Sequence, residues 1–185
     1  MAKSLRITGA ILMLALCASC SDDDNPVSPH DLVGSGNLIS ETRTVVNFHS
    51  VDFRAVGEVQ IIEGAAHSVK VTVDDNLMEY LETAVTDGRL VIAFDDSIDP
   101  DDFDLLVELT MTDLNAITLT GVGAVHAYGM TADDVMVTLT GVGDAYVSVT
   151  DHLTAVITGV GSVYYRGNPQ TDITITGVGS VIDDN

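Results

Sequence analysis

The chain has 185 residues, of which 46% are hydrophobic and only 5% aromatic, with no tryptophan. This length allows one domain plus a targeting segment, with a core built from aliphatic side chains. Seven Lys and Arg residues stand against 28 Asp and Glu, so the formal net charge at pH 7 is −21. Phosphate binding needs clustered cations, so this charge excludes nucleic-acid partners. It also argues against acidic glycans and anionic membrane surfaces as ligands.

The N-terminus has the anatomy of a secretory signal peptide. Lys3 and Arg6 form a short basic region, and residues 11–16 are an apolar run too short to span a bilayer. Small residues then precede Cys20, an arrangement that resembles a bacterial lipobox. The sequence therefore predicts a signal peptide over residues 1–19 and lipidation of Cys20. The alternative is an ordinary signal peptide that carries two incidental cysteines.

Residues 20–38 are predicted to be the lipidated cysteine followed by a disordered acidic tether. Three consecutive aspartates follow Ser21, and the stretch contains two prolines and little apolar patterning. An acidic run in this place resembles the surface-export signal of Bacteroidetes lipoproteins, and a solvated linker is the alternative. The prediction places the protein at the outer membrane, exposed at the cell surface, with the lipid as its only membrane contact.

The next part of the chain is predicted to be a β-sheet region that contains a hairpin. Asp87-Gly88 separates two alternating apolar segments and favours a type I′ turn. Residues 75–80 are long enough for one helical turn. Further strand candidates are residues 59–62, 68–73 and 105–111.

The strongest feature of the sequence is a fourfold repeat within residues 114–185. The sequence Thr-Gly-Val-Gly begins at Thr120, Thr140, Thr158 and Thr176, at spacings of 20, 18 and 18 residues. Each copy lies between two β-rich runs, and no copy has a helical period. Paired glycines permit close approach and backbone conformations closed to other residues, so they predict a corner in every copy. These corner glycines are Gly121, Gly123, Gly141, Gly143, Gly159, Gly161, Gly177 and Gly179.

Alternation within each copy predicts an inner and an outer face. Four inward aliphatic side chains contribute about 6–12 kcal/mol, whereas ordering the backbone of a copy costs about 18–36 kcal/mol. A lone copy therefore cannot fold, and the copies must stack. The predicted fold is all-β: a parallel β-helix or β-solenoid of about four turns, each of 18–20 residues, preceded by the hairpin-containing sheet. Residues 39–185 would form this single domain. The predicted inward columns are Ile117, Val137, Ala155 and Ile173, and Leu119, Leu139, Ile157 and Ile175.

Residues 51–64, Val-Asp-Phe-Arg-Ala-Val-Gly-Glu-Val-Gln-Ile-Ile-Glu-Gly, resemble the opening of the putative auto-transporter adhesin head, GIN domain family, a domain of unknown function. A Val-rich strand at 69–73, then Asp75-Asn-Leu and Asp87-Gly-Arg-Leu-Val-Ile, follow in a similar order. Many members have Ser-Gly-Ser-Gly corners where this chain has Thr-Gly-Val-Gly. The resemblance covers about residues 40–185. It implies a β-helical fold and a secreted or surface lipoprotein with an adhesin label, and it supplies no catalytic residues.

Motifs for catalysis and metal binding are incomplete. Gly121-Val-Gly123 lacks the third glycine and the following helix of a dinucleotide site. The acidic run at residues 95–104 lacks the Gly and Glu of a calcium loop, so a solvated hairpin loop is predicted there. No His pair has metal-ligand spacing, and no acid completes a triad with Ser148 and His152. We therefore predict no enzyme activity, no cofactor and no metal.

The acidic run contains one candidate modification site. Asp96-Ser97-Ile98 resembles the three-residue O-glycosylation motif of Bacteroidetes, which would place a glycan on Ser97.

Two outward columns of the repeats are candidate binding surfaces. If Val125 and its equivalents face inward, His126, Tyr146 and Tyr164 form an outward column suited to stacking on neutral sugars. The alternative is a ladder stabilised only by its own stacking. The second surface is a Thr-x-Thr array interrupted at Val156, which resembles the face of β-helical antifreeze proteins. Threonine is also simply a favourable exposed strand residue.

These observations predict a surface-anchored lipoprotein whose β-solenoid serves adhesion or binding, with a neutral glycan or a host or cell-surface protein as ligand. One alternative is a structural or periplasmic envelope component that docks a protein partner. A second is an ice-binding Thr-x-Thr face.

Overall fold

The computed structural model describes residues 31–185, so the predicted signal peptide and Cys20 lie outside the described residues. This part of the chain is all-β, as predicted, and has no helix. Nine strands precede the repeats: β1 (Asp31–Val33), β2 (Leu38–Arg43), β3 (Ser50–Phe53), β4 (Val56–Glu63), β5 (Ser68–Asp74), β6 (Leu81–Thr86), β7 (Arg89–Phe94), β8 (Asp99–Asp101) and β9 (Leu105–Met111). The repeats contain β10 (Ala116–Leu119), β11 (Val122–Leu139), β12 (Val142–Ile157), β13 (Val160–Arg166), β14 (Gln170–Ile175) and β15 (Val178–Asp183).

Thirteen strands form one sheet, and β1 and β8 form a separate parallel pair. The predicted hairpin is confirmed: β6 and β7 are antiparallel, and both turn residues, Asp87 and Gly88, have positive φ. Residues 75–80 form hydrogen-bonded turns rather than the predicted helical turn. Strand β1 lies inside the range predicted as tether, so the folded part begins by Asp31.

The repeats pair with one another in two parallel ladders, because β11 and β12 each contribute a segment to both. Ladder 1 precedes the Thr-Gly-Val-Gly corner, and ladder 2 follows it. An earlier strand, β3 in ladder 1 and β4 in ladder 2, adds a first level to the four copies. Beyond this first level, β7 pairs in parallel with β3, and β9 pairs in parallel with β4. The inward residues of ladder 1 are Val51, Ile117, Val137, Ala155 and Ile173. Those of ladder 2 are Val59, Val125, Ala145, Val163 and Val181.

Glycine is required at the corners because the backbone of the preceding level lies too close for a side chain. A Cβ atom on Gly143 would lie 1.7 Å from the carbonyl oxygen of Gly123, and one on Gly141 would lie 1.9 Å from that of Gly121. Similar contacts, at 1.7–2.0 Å, hold for the corner glycines of all four copies. Gly143 also has a φ of 144°, in the region that favours glycine. The glycines therefore allow successive corners to approach closely.

The core lies between the ladders, and one end of the stack they form is closed. In the two inward columns named above, the side chains of the first four levels are at most 1% exposed. At the N-terminal end, the turns at residues 75–80 cover the core with Leu77 and Met78, which are 0% and 6% exposed. At the other end, Ile173 and Ile175 are 45% and 40% exposed. These two residues were predicted to be buried, but no later strand of the described chain covers them.

Candidate functional site

The predicted aromatic column exists as a stack of rings on the outer face of ladder 2. The strand register places His126 beside Tyr146, and Tyr146 beside Tyr164. Ring centroids are 4.6 Å apart for the first pair and 4.8 Å for the second, with interplanar angles of 12° and 8°. These spacings equal the separation between neighbouring strands, so the parallel ladder itself imposes the stacking.

The stack leaves ring edges rather than ring faces for a ligand. Both faces of Tyr146 are covered by its neighbours in the column. The register continues the column to Gln60 beside His126 and to Ile182 beside Tyr164. A sugar ring therefore cannot lie on the faces in the way that the sequence suggested. A ligand would meet ring edges and the two phenol hydroxyl groups of the column.

A fourth aromatic residue, Tyr128, is placed by a bulge that the sequence analysis did not identify. Ala127 pairs with Val147 and Thr131 with Ser148, so three residues of β11 have no partner on β12. The Tyr128 ring packs edge-to-face on Tyr146, with centroids 5.6 Å apart. Bulges commonly re-aim a side chain in this way. The only sequence signal for this bulge is the longer spacing, 20 residues, of the first copy.

Tyr128 also joins turns that are distant in sequence. Its hydroxyl group donates a hydrogen bond of 2.8 Å to Oδ2 of Asp184. The Arg166 guanidinium lies 3.9 Å above its ring centroid and forms a 3.1 Å ion pair with Asp184. We call these three residues the clasp. Burial first, and then the hydrogen bond to Asp184, raises the pKa of Tyr128 well above its usual value. Burial and the carboxylate of Asp144 also raise the pKa of Tyr146.

An exposed apolar ridge runs along the corners, at one margin of the outer face of ladder 2. Its members are the central valines of the repeats and one valine of the first level, all in register. Between this ridge and the aromatic column lies a column of small and acidic residues that includes Asp144 and Ser162. The ridge valines are Val56, Val122, Val142, Val160 and Val178, which are 45–69% exposed.

The predicted Thr-x-Thr array lies on the outer face of ladder 1. Thr118, Thr138, Val156 and Thr174 are in register, so the interruption falls where the sequence placed it. In the neighbouring column, the Thr140 hydroxyl lies 3.4 Å from both the Leu119 carbonyl and the Thr120 hydroxyl. These contacts within the fold occupy part of the hydroxyl array.

The Lys and Arg side chains of the described residues are all engaged in ion pairs. Asp52 is the most deeply placed partner: it is 2% exposed and accepts a 2.7 Å bond from Arg54, with Arg89 at 3.9 Å. Within residues 31–185, every Lys and Arg therefore has an acidic partner, which disfavours an anionic ligand. The other pairs are Arg43–Glu41, Lys70–Glu108 and Arg166–Asp184.

The turn after β5 holds the start of the folded chain. Asp74, which is 2% exposed, accepts hydrogen bonds from the backbone N–H groups of Gly36 and Asp104. The neighbouring Asp75 accepts bonds from the side chains of Ser35 and Asn37, and these bonds lower its pKa. The sequence analysis did not identify this cluster. It fixes to the fold a segment that the sequence analysis had assigned to the tether.

The acidic run at residues 95–104 contains the short strand β8, which pairs with β1. Ser97 is exposed within this run, and its backbone N–H donates a 2.7 Å bond to Asp95. Exposure suits the predicted glycosylation, which stays a prediction. Within residues 31–185 no three His, Cys, Asp or Glu side chains are grouped to hold a metal ion. The same residues contain no helix that meets the length and hydropathy needed to cross a membrane.

The sequence matches the profile of the family described as putative auto-transporter adhesin, head GIN domain, over residues 47–126 and 117–169. The chain belongs to this family. The resemblance noted in the sequence is thereby confirmed, and the match includes both the first level and most of the repeats. No curated protein gives a significant match.

A solved structure of a putative adhesin has a similar fold. A putative adhesin from Bacteroides fragilis is 21% identical, with a TM-score of 0.54 over 82% of this chain and 99% of that chain. A putative adhesin from Parabacteroides merdae is 14% identical, with a TM-score of 0.46 over 84% of this chain and 100% of that one. At 21% identity, the similarity to the Bacteroides fragilis protein is evidence for the fold alone.

Proposed function

We propose that this GIN-domain protein is a non-enzymatic adhesion module, carried at the cell surface on a lipid at Cys20. The description of the family, and of solved structures similar to this chain, as putative adhesins supports the adhesin role. The proposed lipid and surface location rest on the N-terminal sequence. The structure adds that residues 34–37, which fall inside the range predicted as tether, are hydrogen-bonded to Asp74 and Asp75.

We further propose that the two ladders enclose a β-solenoid. Support comes from the constant register of the corners, the buried columns that both ladders direct to one core, and the near-identical glycine contacts of successive copies. In a solenoid each level is fixed by its neighbours, so outward columns form rigid surfaces. Rigid surfaces lose little conformational entropy when they bind a ligand.

The observation that carries the binding proposal is the composition of the outer face of ladder 2. It presents an apolar valine ridge at one margin and a stacked aromatic column at the other. Tyrosines and exposed apolar patches are typical of protein interfaces. Because the ring faces of Tyr146 are covered, a cell-surface protein fits this face better than a neutral glycan does. The paired cations disfavour anionic ligands of either kind.

Protease treatment of intact cells tests the proposed location. Blotting for an epitope in the repeats should show loss of signal on intact cells. Protection until lysis would contradict surface exposure and would favour a periplasmic envelope component. A digest of the lysate is the necessary control, because a tightly paired β-structure can resist protease wherever it lies.

Replacing both Tyr146 and Tyr164 with Ala tests the binding face. A hot-spot residue of an interface contributes about 2 kcal/mol or more, so if at least one of the two tyrosines is such a residue, binding to host cells or to arrayed glycans and proteins should weaken by about 30-fold or more. Tyr80→Ala, an aromatic change at the closed end, serves as the matched control. Unchanged binding by a double variant that is still folded, as judged by circular dichroism, would exclude the aromatic column as the site.

A further inference from the structure

Within the described residues, no further strand lies beyond β14 and β15 at their end of the stack, which we call the open end. In the described chain, β14 pairs only with β12, and β15 pairs only with β13. Ile173 and Ile175 are 45% and 40% exposed, whereas Ala155 and Ile157, their equivalents one level earlier, are 0% exposed. The inner apolar side chains of the last level are thus available to another strand.

The backbone at this edge also presents a hydrogen-bond acceptor that a further strand could use. The carbonyl oxygens of Leu119, Leu139 and Ile157 each accept a 2.9 Å bond from the N–H of a threonine in the next level. Ile175 occupies the equivalent place in β14, so its carbonyl faces the open edge. Unpaired groups of this kind form a template for pairing with another chain.

The two edge strands differ in how they are protected. In β15, Asp183 takes the place of an inward residue, opposite Tyr165, and Asn185 bonds to both Asp183 and Gly167. An inward-pointing charge is a recognised protection of a sheet edge. Strand β14 has no such residue at its inward positions, and Asp172 is its only charged side chain. Association is therefore expected at β14 rather than at β15.

We propose that β14 pairs with the β14 strand of a second copy of this protein, antiparallel across a two-fold axis at Thr174. In this register Ile173 lies opposite Ile175 of the second copy, and the reverse contact follows by symmetry. Asp172 lies opposite Thr176, so no like charges meet directly. The edge strand is therefore complementary to itself.

The biological role of this pairing rests on the proposed function. On a protein anchored at the cell surface, the pairing would connect two cells. Strand β2, near the start of the described chain, ends the sheet on the side away from β14 and β15, so the start of the described chain and the open edge lie at opposite ends of the stack. Two copies that meet at β14 would direct their lipid anchors away from each other. The contact would then be a homotypic adhesion between opposed membranes, and many weak contacts would act together.

The charge of the protein distinguishes a second copy from a basic partner. Each full chain has a formal charge of −21, so two copies repel each other and salt should strengthen their association. A partner rich in Lys and Arg would instead be attracted, and salt would weaken its binding.

Cross-linking tests the register. The chain from residue 20 onward, with Cys20→Ser, contains no cysteine, so one can be added at a chosen place. In Thr174→Cys the two thiols would lie directly opposite, at a separation that suits a disulfide. Mild oxidation at 0.5 M NaCl should give at least about tenfold more covalent dimer than Thr138→Cys, a change in the same outward column at an internal level. Equal yields would overturn the proposed pairing.

Sedimentation of the same Cys20→Ser chain provides a second measurement. The dimer fraction should rise between 0.05 and 0.5 M NaCl, and Ile173→Lys should abolish this rise. Val122→Lys adds the same charge to the ridge at an earlier level and should dimerise even at lower salt, because it reduces the net repulsion. A monomer under all conditions would overturn the proposal. Neither measurement depends on cell-surface location, so the two proposals can fail separately.

Discussion

At the scale of single residues, the corner glycines show how one level constrains the next. Ala55 stands where each copy has its first corner glycine, and its Cβ atom is tolerated at the first level. Gly121, one level later, would bring a Cβ atom within 1.9 Å of the Ala55 carbonyl oxygen. The demand for glycine thus comes from the neighbouring corner and not from the turn alone.

Gly143→Ala should destabilise the protein by about 3 kcal/mol or more. The added Cβ atom would lie 1.7 Å from a backbone oxygen that cannot move aside, and the φ of 144° adds strain. Urea unfolding followed by circular dichroism measures the change. Gly36→Ala is the matched control, since Gly36 also has a positive φ, of 77°, but no atom lies within 4 Å of an added Cβ. It should cost only about 1–2 kcal/mol, and equal costs would show that the corner contact is unimportant.

At the scale of elements, the bulge in β11 places one side chain where it joins three levels of the stack. Tyr128 reaches Arg166 and Asp184, which lie on later levels of ladder 2. The sequence indicated the cause only through an uneven spacing. The sequence alone does not determine which strand forms the bulge, because the position of the extra residues depends on both neighbours of β11.

Tyr128→Phe should therefore weaken the protein in a pH-dependent way. At pH 8 the lost hydrogen bond should cost about 1 kcal/mol. The raised pKa means that the folded protein keeps this proton where the unfolded phenol, with a pKa near 10, has lost it. The stability contributed by Tyr128 is thus complete below pH 10 and declines at higher pH. Urea unfolding at pH 8 and pH 11 should show a smaller difference between wild type and variant at pH 11. A constant difference would contradict the role of the clasp.

At the scale of the whole molecule, the repeat period predicted the burial of residues at internal levels, but it did not predict the exposure of residues at the last level. Residues such as Leu119 and Leu139 were placed correctly because every copy repeats the same alternation between two neighbours. Ile175 has the same local sequence and is exposed, because its burial depends on a level that the described chain does not contain. The aromatic column was also placed correctly, but the covering of its ring faces follows from strand spacing and not from residue type.

The near-identical contacts between corners have a consequence for the dimensions of the protein. Any copy of 18 residues meets the same surface above and below, so copies are interchangeable parts. Duplicating one would lengthen the molecule by about one strand separation, roughly 4.8 Å, without a new core. On an anchored protein, the number of repeats would set the distance between the membrane and the outermost strand.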